Sequence, residues 1–419
     1  MSADADTKAE VSDPVGGHRS VAAVLFLCLF AAQAAVIAMS PVLAAAAGEL
    51  HVSTAMAGQL RTITGLAAGI TALMLHVLSA RIGLGRQLLA GAVLLAAASI
   101  ASAAAPTFAV LALVQVPVGV AVAVLTTAGT LAAAEWAAPE LRTRTLSVAL
   151  VGQPAAWIVG MPLVGILGER SWRLGWLALP LVAAVGAAIF VGSRAGQPPV
   201  ESRPVRVRDA LGDGKLVGWL VSELLANAAW AGTLVYAGAL FVESYGTSSA
   251  LTGCLLAAVA VSYVAGNLVG RRVVGKQPRR VLVMLAVVLA VTDGLFGAAR
   301  VGIAASTLFF AIAAFAAGGR TLVTSAFALA TAPEIRSAVM GLRAATMQFG
   351  YLAGSIVGGA ALTLGGYSAF GAAMGMLFLG AGAALARRPV PRATHRRSSH
   401  GETPAGGYSA GWSSVSSAR

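Results

Sequence analysis

Twelve long apolar stretches, separated by short polar or Gly/Pro breaks, leave this chain few ways to fold. They run approximately over 21–47, 54–78, 86–105, 107–135, 145–168, 174–194, 216–242, 248–270, 279–299, 302–331, 337–364 and 367–386. A bilayer core of about 30 Å takes about 20 apolar residues per helix, the length of these stretches. Lipid offers no partner to backbone N–H and C=O groups, so each stretch is expected to satisfy them internally, as a helix. Charged residues make up 11% of the chain, against roughly a quarter in an ordinary soluble protein. The expected class is an all-α membrane protein.

One long polar segment, Ser193 to Lys215, carries Pro198, Pro199 and Pro204 as breakers and splits the spans six and six. The resulting division is a tail at 1–20, a six-helix bundle at 21–194, a linker at 195–215, a second bundle at 216–386 and a tail at 387–419. That last tail is rich in Arg, Ser, Gly and Pro, a composition suited to disorder. The first apolar run is too long for the core of a signal peptide and reads as a membrane helix. With the N-terminus inside, 24 of the 29 Lys and Arg fall in inner loops, tails or inner span ends, Arg343 among them. Arg170, Arg173 and Arg300 fall outside, and Arg61 and Arg320 lie deeper within spans. This asymmetry puts both termini in the cytoplasm of a multi-pass protein of the cell (plasma or inner) membrane. It also accounts for the net charge of +13 without a nucleic-acid partner. Cys28 and Cys254 lie in apolar runs and read as small apolar residues, with no disulfide or metal spacing.

The halves echo each other. Moving forward 194 residues takes Pro139, Glu140 and Arg142 onto Pro333, Glu334 and Arg336, and Gly160 and Gly165 onto Gly354 and Gly359. Twelve helices in two repeated halves resemble the major facilitator superfamily, and the details look most like its drug- and sugar-efflux branch of proton antiporters. GMPLVG at Gly160–Gly165, followed by Gly168 and Trp172–Arg173, is similar to that branch's helix-5 signature. PELRTR at 139–144 resembles the family's helix 4–5 loop, and PEIRS at 333–337 its counterpart in the second half. In the helix 2–3 loop Arg81, Gly83 and Arg86 match the family pattern, while His76 and Ala80 stand where it has Gly and Asp. Gln115 stands where the family has a buried Arg, with Gly119 following at the usual distance. The resemblance covers about residues 21–386. It implies two pseudo-symmetric six-helix bundles that export a small organic molecule by alternating access, in exchange for protons. The two departures fall on the Asp that locks the inward-closed state and on the Arg linked to proton transfer.

Several residues carry candidate chemistry. Gly152, Ala156 and Gly160 recur at i, i+4 on the fifth span, broken at Pro162 and followed by Gly165; Gly350, Gly354 and Gly358 repeat the pattern on the eleventh. Small residues let helices approach closely in lipid. The glycine helix is expected against span eight of the other half, either as ordinary packing or as the seam that opens and closes. An ionisable group inside a span costs about 2.5–3.5 kcal/mol on insertion scales, so it suggests function. Glu223, Asn227 and Trp230 sit at i, i+4 and i+7 of span seven. This stripe suits a polar or cationic molecule, with Glu223 able to carry a proton; otherwise Glu223 is hydrated near the inner end or paired with Lys215. Arg320, inside span ten after Gly318 and Gly319, requires water, a carboxylate or an anionic substrate. Arg61 either takes over part of the missing helix-4 Arg's role in proton coupling or snorkels to the outer interface. Asp293 is expected to pair with Arg300. Gln33 and Asn227 are related by the same shift and are candidate substrate partners. The expected cavity set is Gln33, Gln115, Glu223, Asn227, Trp230 and Arg320. No phosphate-binding loop or zinc spacing occurs, so neither cofactor nor enzyme activity is expected. The expected partners are a small-molecule substrate, protons and the bilayer, around a monomer. The alternatives are a uniporter or importer, or a membrane sensor without transport.

Overall fold

Every regular element among the described residues is a helix, as the apolar spans require. The computed structural model describes residues 14–78, 82–137, 139–192, 212, 214–270, 272, 278–329, 331 and 333–387. Arg81 and Ala80, most of the linker and most of both tails lie outside them.

In the first half α1 is Pro14–Ile37, extended by short helices at Ser40–Val42 and Leu43–Glu49. α2 is Leu60–Leu78, α3 Leu84–Ala104, α4 Phe108–Glu135, α5 Arg142–Gly168 and α6 Val182–Gly192. The second half comprises α7 Gly214–Tyr245, α8 Ser249–Gly270, α9 Pro278–Ala298 and α10 Ile303–Leu329. A final continuous element, Pro333–Arg387, turns back on itself at Gly365 and Gly366; Gly366 has φ +62, a left-handed conformation that glycine adopts without a Cβ penalty. Residues 333–364 are α11 and 367–387 are α12.

Among the described residues ten helices are long and apolar enough to cross a membrane, one of them holding both α11 and α12. The second expected span departs from an unbroken helix. It is built as Thr54–Gly58 and Leu60–Leu78 with a turn at Gln59, and the Ser53 hydroxyl caps its start by accepting from the Met56 N–H. α6 begins through a π-turn, Leu177–Leu181, around Pro180, which has no N–H to give the regular ladder.

α1 to α6 pack into one bundle and α7 to α12 into another. The glycine stripes act mostly inside these bundles, which corrects the expected seam. Gly152 faces the Phe26 carbonyl of α1, and Gly160 faces Leu179 and Ile37. Gly350 and Gly354 face α7 at Asn227 and Ala228, and Gly358 faces Tyr236 and Phe370. A glycine stripe admits any neighbouring backbone, and here the nearest one belongs to the same bundle.

α5 does meet α8, through Gly165 and Pro162 of the expected set and not through Gly152 and Gly160. Gly165 lies against Ser249 O, and Gly253 against Met161 O and Pro162, with no room for a Cβ in either place. The mirror contact joins α11 to the α2 region. Gly359 lies against Ala55 O, and Gln59 Nε2 donates to Ser355 O at 2.9 Å. The shift of 194 residues converts Ala55, Gln59, Met161 and Gly165 into Ser249, Gly253, Ser355 and Gly359, so the two contacts are pseudo-symmetric. Both lie at the end of the bundles opposite the linker, where the Tyr236 hydroxyl also reaches Ala55 O at 3.2 Å and Ser355 O at 3.1 Å. Thr54 donates to Glu243 across the same junction.

Candidate functional site

Beneath that junction, towards the linker end, the bundles enclose a cavity of about 140 Å³. α1 supplies Gln33, α5 supplies Gln153, Pro154 and Trp157, and α7 supplies Glu223, Asn227 and Trp230. From α8 comes Tyr263, from α10 Arg320 and Thr321, and from α11 Arg343, Met347 and Tyr351. The i, i+4, i+7 stripe of α7 thus turns as one face into the cavity. On α11 the residues at i, i+4 and i+8 do the same, one face round from the glycines that hold α7.

The charged groups gather on one carboxylate. Glu223 is 1% exposed. Its Oε1 accepts from Arg320 Nη2 at 2.6 Å, and its Oε2 lies 3.3 Å from Arg343 Nε. Arg320 Nη2 also reaches Ser222 O at 3.2 Å. Arg343 is held more loosely, with Nη2 at 3.4 Å from both Thr321 O and Thr324 Oγ1. Glu223 is therefore not a hydrated end residue, and the buried Arg320 has found a carboxylate; the side chain of Lys215, the other expected partner, lies outside the described residues. Removing one member of such a buried cluster costs roughly 3–5 kcal/mol, because it leaves a charge uncompensated.

Aromatic rings form the opposite wall. Trp230 stacks on Tyr263 at 5.9 Å between centroids, and Tyr263 stacks on Trp157 of the other bundle at 6.4 Å. The Tyr263 hydroxyl donates to Thr321 at 2.9 Å, leaving its ring to the cavity. Asn227 Nδ2 donates to Thr346 at 3.3 Å, while Gln33 Nε2 is buried without a hydrogen-bond partner.

Two of the expected residues lie elsewhere. Gln115 and Arg61 line a second space of about 30 Å³, nearer the sealed junction, with Trp157 and Tyr351 shared between the two. Gln115 accepts from Thr64 Oγ1 at 3.1 Å, an α2–α4 bond within the first bundle. Arg61 does not snorkel outwards; its guanidinium lies 4.5 Å from the centre of the Tyr351 ring in the other bundle. The Asp293 pairing is also corrected: its Oδ2 accepts from Thr233 at 2.6 Å, and Arg300 donates to Ser368. Among the loop residues, Gly83 precedes α3 as its N-cap, and Arg86, Glu140 and Arg142 are exposed at the linker end. Glu334 and Arg336 lie in the first turn of α11. Trp172 and Arg173 both bind Glu49, at 2.8 Å each, inside the first bundle.

Sequence reasoning missed Arg343, Trp157, Tyr263 and Tyr351. Arg343 reads as an inner-end cation until α11 is seen carrying it into the cavity. Trp157 and Tyr351 had a usable signal, since the shift of 194 residues superposes them.

The family model described as Major Facilitator Superfamily matches residues 25–242 and 219–419, together nearly the whole chain. The chain belongs to the major facilitator superfamily. Solved structures of this fold agree. A bacterial homolog of the human lysosomal transporter Spinster, inward-facing and occupied, matches with TM-score 0.68 at 12% identity, over 90% of this chain and 96% of that one. The nucleoside transporter NupG gives TM-score 0.67 at 16% identity over 88% and 98% of the two chains. A D-xylose–proton symporter gives 0.68 at 16% over 90% and 98%. No curated protein matches the chain by sequence. This superfamily member is therefore an all-α membrane transporter of the two-bundle fold.

Proposed function

We propose that this superfamily member exports a small organic molecule across the cell membrane in exchange for protons, working as a monomer with both termini in the cytoplasm. The observation that carries the reading is the cavity shared by both bundles, lined by rings, amides and one charged cluster, beneath a junction sealed at the end opposite the linker. The basic residues around the linker support a cytoplasmic place for that end. Rocking of the bundles about the cavity would close the linker end and part the Gly165–Ser249 and Gly359–Ala55 contacts. A substrate drives this only through its different affinity for the two states.

Gln33, Glu223, Asn227, Trp230 and Arg320 contact the substrate in this reading, and Gln115 and Arg61 form the ceiling above it. Proton exchange falls to Glu223, the one carboxylate lining the cavity among the described residues, aided by Arg61. In proteoliposomes holding the purified protein, an inside-acid gradient should drive substrate uptake above equilibrium across a compound panel. Flux that ignores the gradient would sink the antiport reading. A uniporter is the second reading, favoured by the two guanidiniums that already engage Glu223 and by Gln115 in place of a helix-4 Arg. Counterflow without a gradient is its signature.

A further inference from the structure

We propose that the cavity selects an organic anion with a flat apolar body, whose acidic group is seated on Arg343. The inference deepens the transport reading of the same site and rests on it for the location alone. The charge inventory comes first. Among the described residues, those lining the cavity include one carboxylate, Glu223, and two guanidiniums, Arg320 and Arg343, leaving one positive charge unmatched. A positive charge held away from bulk water without a counter-charge is costly, and several hydrogen bonds to neutral groups do not cancel it.

The unmet hydrogen bonds point the same way. Both Glu223 oxygens already face a guanidinium, and Arg320 is committed to Glu223 and to Ser222 O. Arg343 is held less tightly: its Nε pairs with Glu223 Oε2 at 3.3 Å without hydrogen-bond geometry, and its Nη2 makes only contacts of 3.4 Å. Gln33, which lines the cavity from the other bundle, has its amide beside Tyr351 and no hydrogen bond of ordinary length from Nε2. A cavity with surplus positive charge and loosely engaged N–H donors lacks an acceptor. A carboxylate or phosphate supplies one, with the planar fork of Arg343 matched to its oxygens. A cationic ligand would instead compete with two guanidiniums for one carboxylate. The rings of Trp157, Trp230 and Tyr263 then flank the apolar body.

The test uses the full chain in phosphatidylcholine nanodiscs and three probes of one shape: 2-naphthoate, 2-naphthamide and 2-naphthylmethylammonium. Equilibrium dialysis should show naphthoate binding at least tenfold tighter than the amide, and no binding of the ammonium. Arg343→Gln should weaken naphthoate tenfold or more and erase its advantage over the amide. Arg343→Lys, which keeps the charge and loses the fork, should bind naphthoate more weakly than the wild type and more tightly than Arg343→Gln. The anionic group of a lipid would use the same guanidinium; displacement of naphthoate by added phosphatidylglycerol, lost in Arg343→Gln, would identify a headgroup as an occupant and support the anion site. Amide or ammonium binding as tight as naphthoate, or no binding by any probe, overturns the proposal. Naphthoate that binds but is not moved in proteoliposomes would sink the transport reading and leave the anion site standing. An ammonium that is moved while naphthoate does not bind would do the reverse.

Discussion

The two bundles share a frame and differ in chemistry. The shift of 194 residues takes Gln33 to Asn227 and Trp157 to Tyr351, so each half sends an amide and a ring to the cavity from matching positions. It also interconverts the two contacts that seal the far junction. The charged cluster has no such twin: Glu223, Arg320 and Arg343 correspond to Leu29, Thr126 and Ala149. Leu29 and Ala149 are buried among apolar neighbours, and Thr126 returns its hydroxyl to the Val122 carbonyl of its own helix. One half therefore serves as an uncharged wall, and the other carries the electrostatics that a ligand meets.

A second matched pair diverges in the same manner. Glu49 and Glu243 correspond, as do Arg173 and Tyr367. In the first bundle Arg173 binds Glu49 and the carbonyls of Ala103 and Ala105, all within its own half. In the second, Tyr367 donates to Glu243 at 3.0 Å, and Glu243 also takes Thr54 from across the junction. The first acid ties helix ends together inside one bundle, and the second belongs to the seal between bundles.

The largest expected effect tests the charge asymmetry. Arg320→Met leaves Glu223 with one loosely held partner and should cost roughly 3–5 kcal/mol. Its counterpart Thr126→Ala should cost less than about 1 kcal/mol. Thermal unfolding in detergent measures both, and equal losses would erase the contrast.

The next test separates the seam from the bundle interior. Gly165→Ala places a Cβ against the Ser249 backbone of the opposite bundle. Gly359→Ala places one against the Gln59 amide and Ala55 O of the opposite bundle as well as the Tyr236 hydroxyl of its own. The cross-bundle clashes are present only while the far end is closed. Overpacking of this kind costs about 1–3 kcal/mol, which should favour the far-end-open state by roughly tenfold, read from thiol labelling of a cysteine placed below the junction. Gly160→Ala meets Leu179 and Ile37 of its own bundle and should lower the melting temperature with little change in labelling. Labelling that rises equally in all three would return Gly160 to the seam.

Smaller still is the difference between the two acids. Glu243→Gln weakens a cross-bundle hydrogen bond worth about 1 kcal/mol, a several-fold rise in far-end opening by the same label. Glu49→Gln should lower stability and leave opening alone. The smallest effect is expected at Asp293. Asp293→Asn keeps an oxygen for the Thr233 hydroxyl and removes a buried carboxyl whose Oδ1 has no partner. Its stability should change by less than about 1 kcal/mol, since the hydrogen bond from Thr233 is kept. A substantial loss of flux would instead give that carboxyl a role.

What the sequence by itself determined was local or periodic. Hydropathy marked the spans because lipid forces each to satisfy its own backbone, and the shift of 194 residues exposed the repeat because both halves solve one packing problem. The α7 stripe was legible for the same reason: residues at i, i+4 and i+7 share a face whatever lies opposite. Tertiary structure alone decided what each face meets. A glycine row announces a close neighbour without naming it, and Gly160 met its own bundle while Gly165 met the other. Arg343, near the start of its span, carries the same local signature as a cation at the membrane surface. Only the packing of α11 beside α7 and α10 brings it to Glu223, because charge pairing depends on distances that no local pattern encodes.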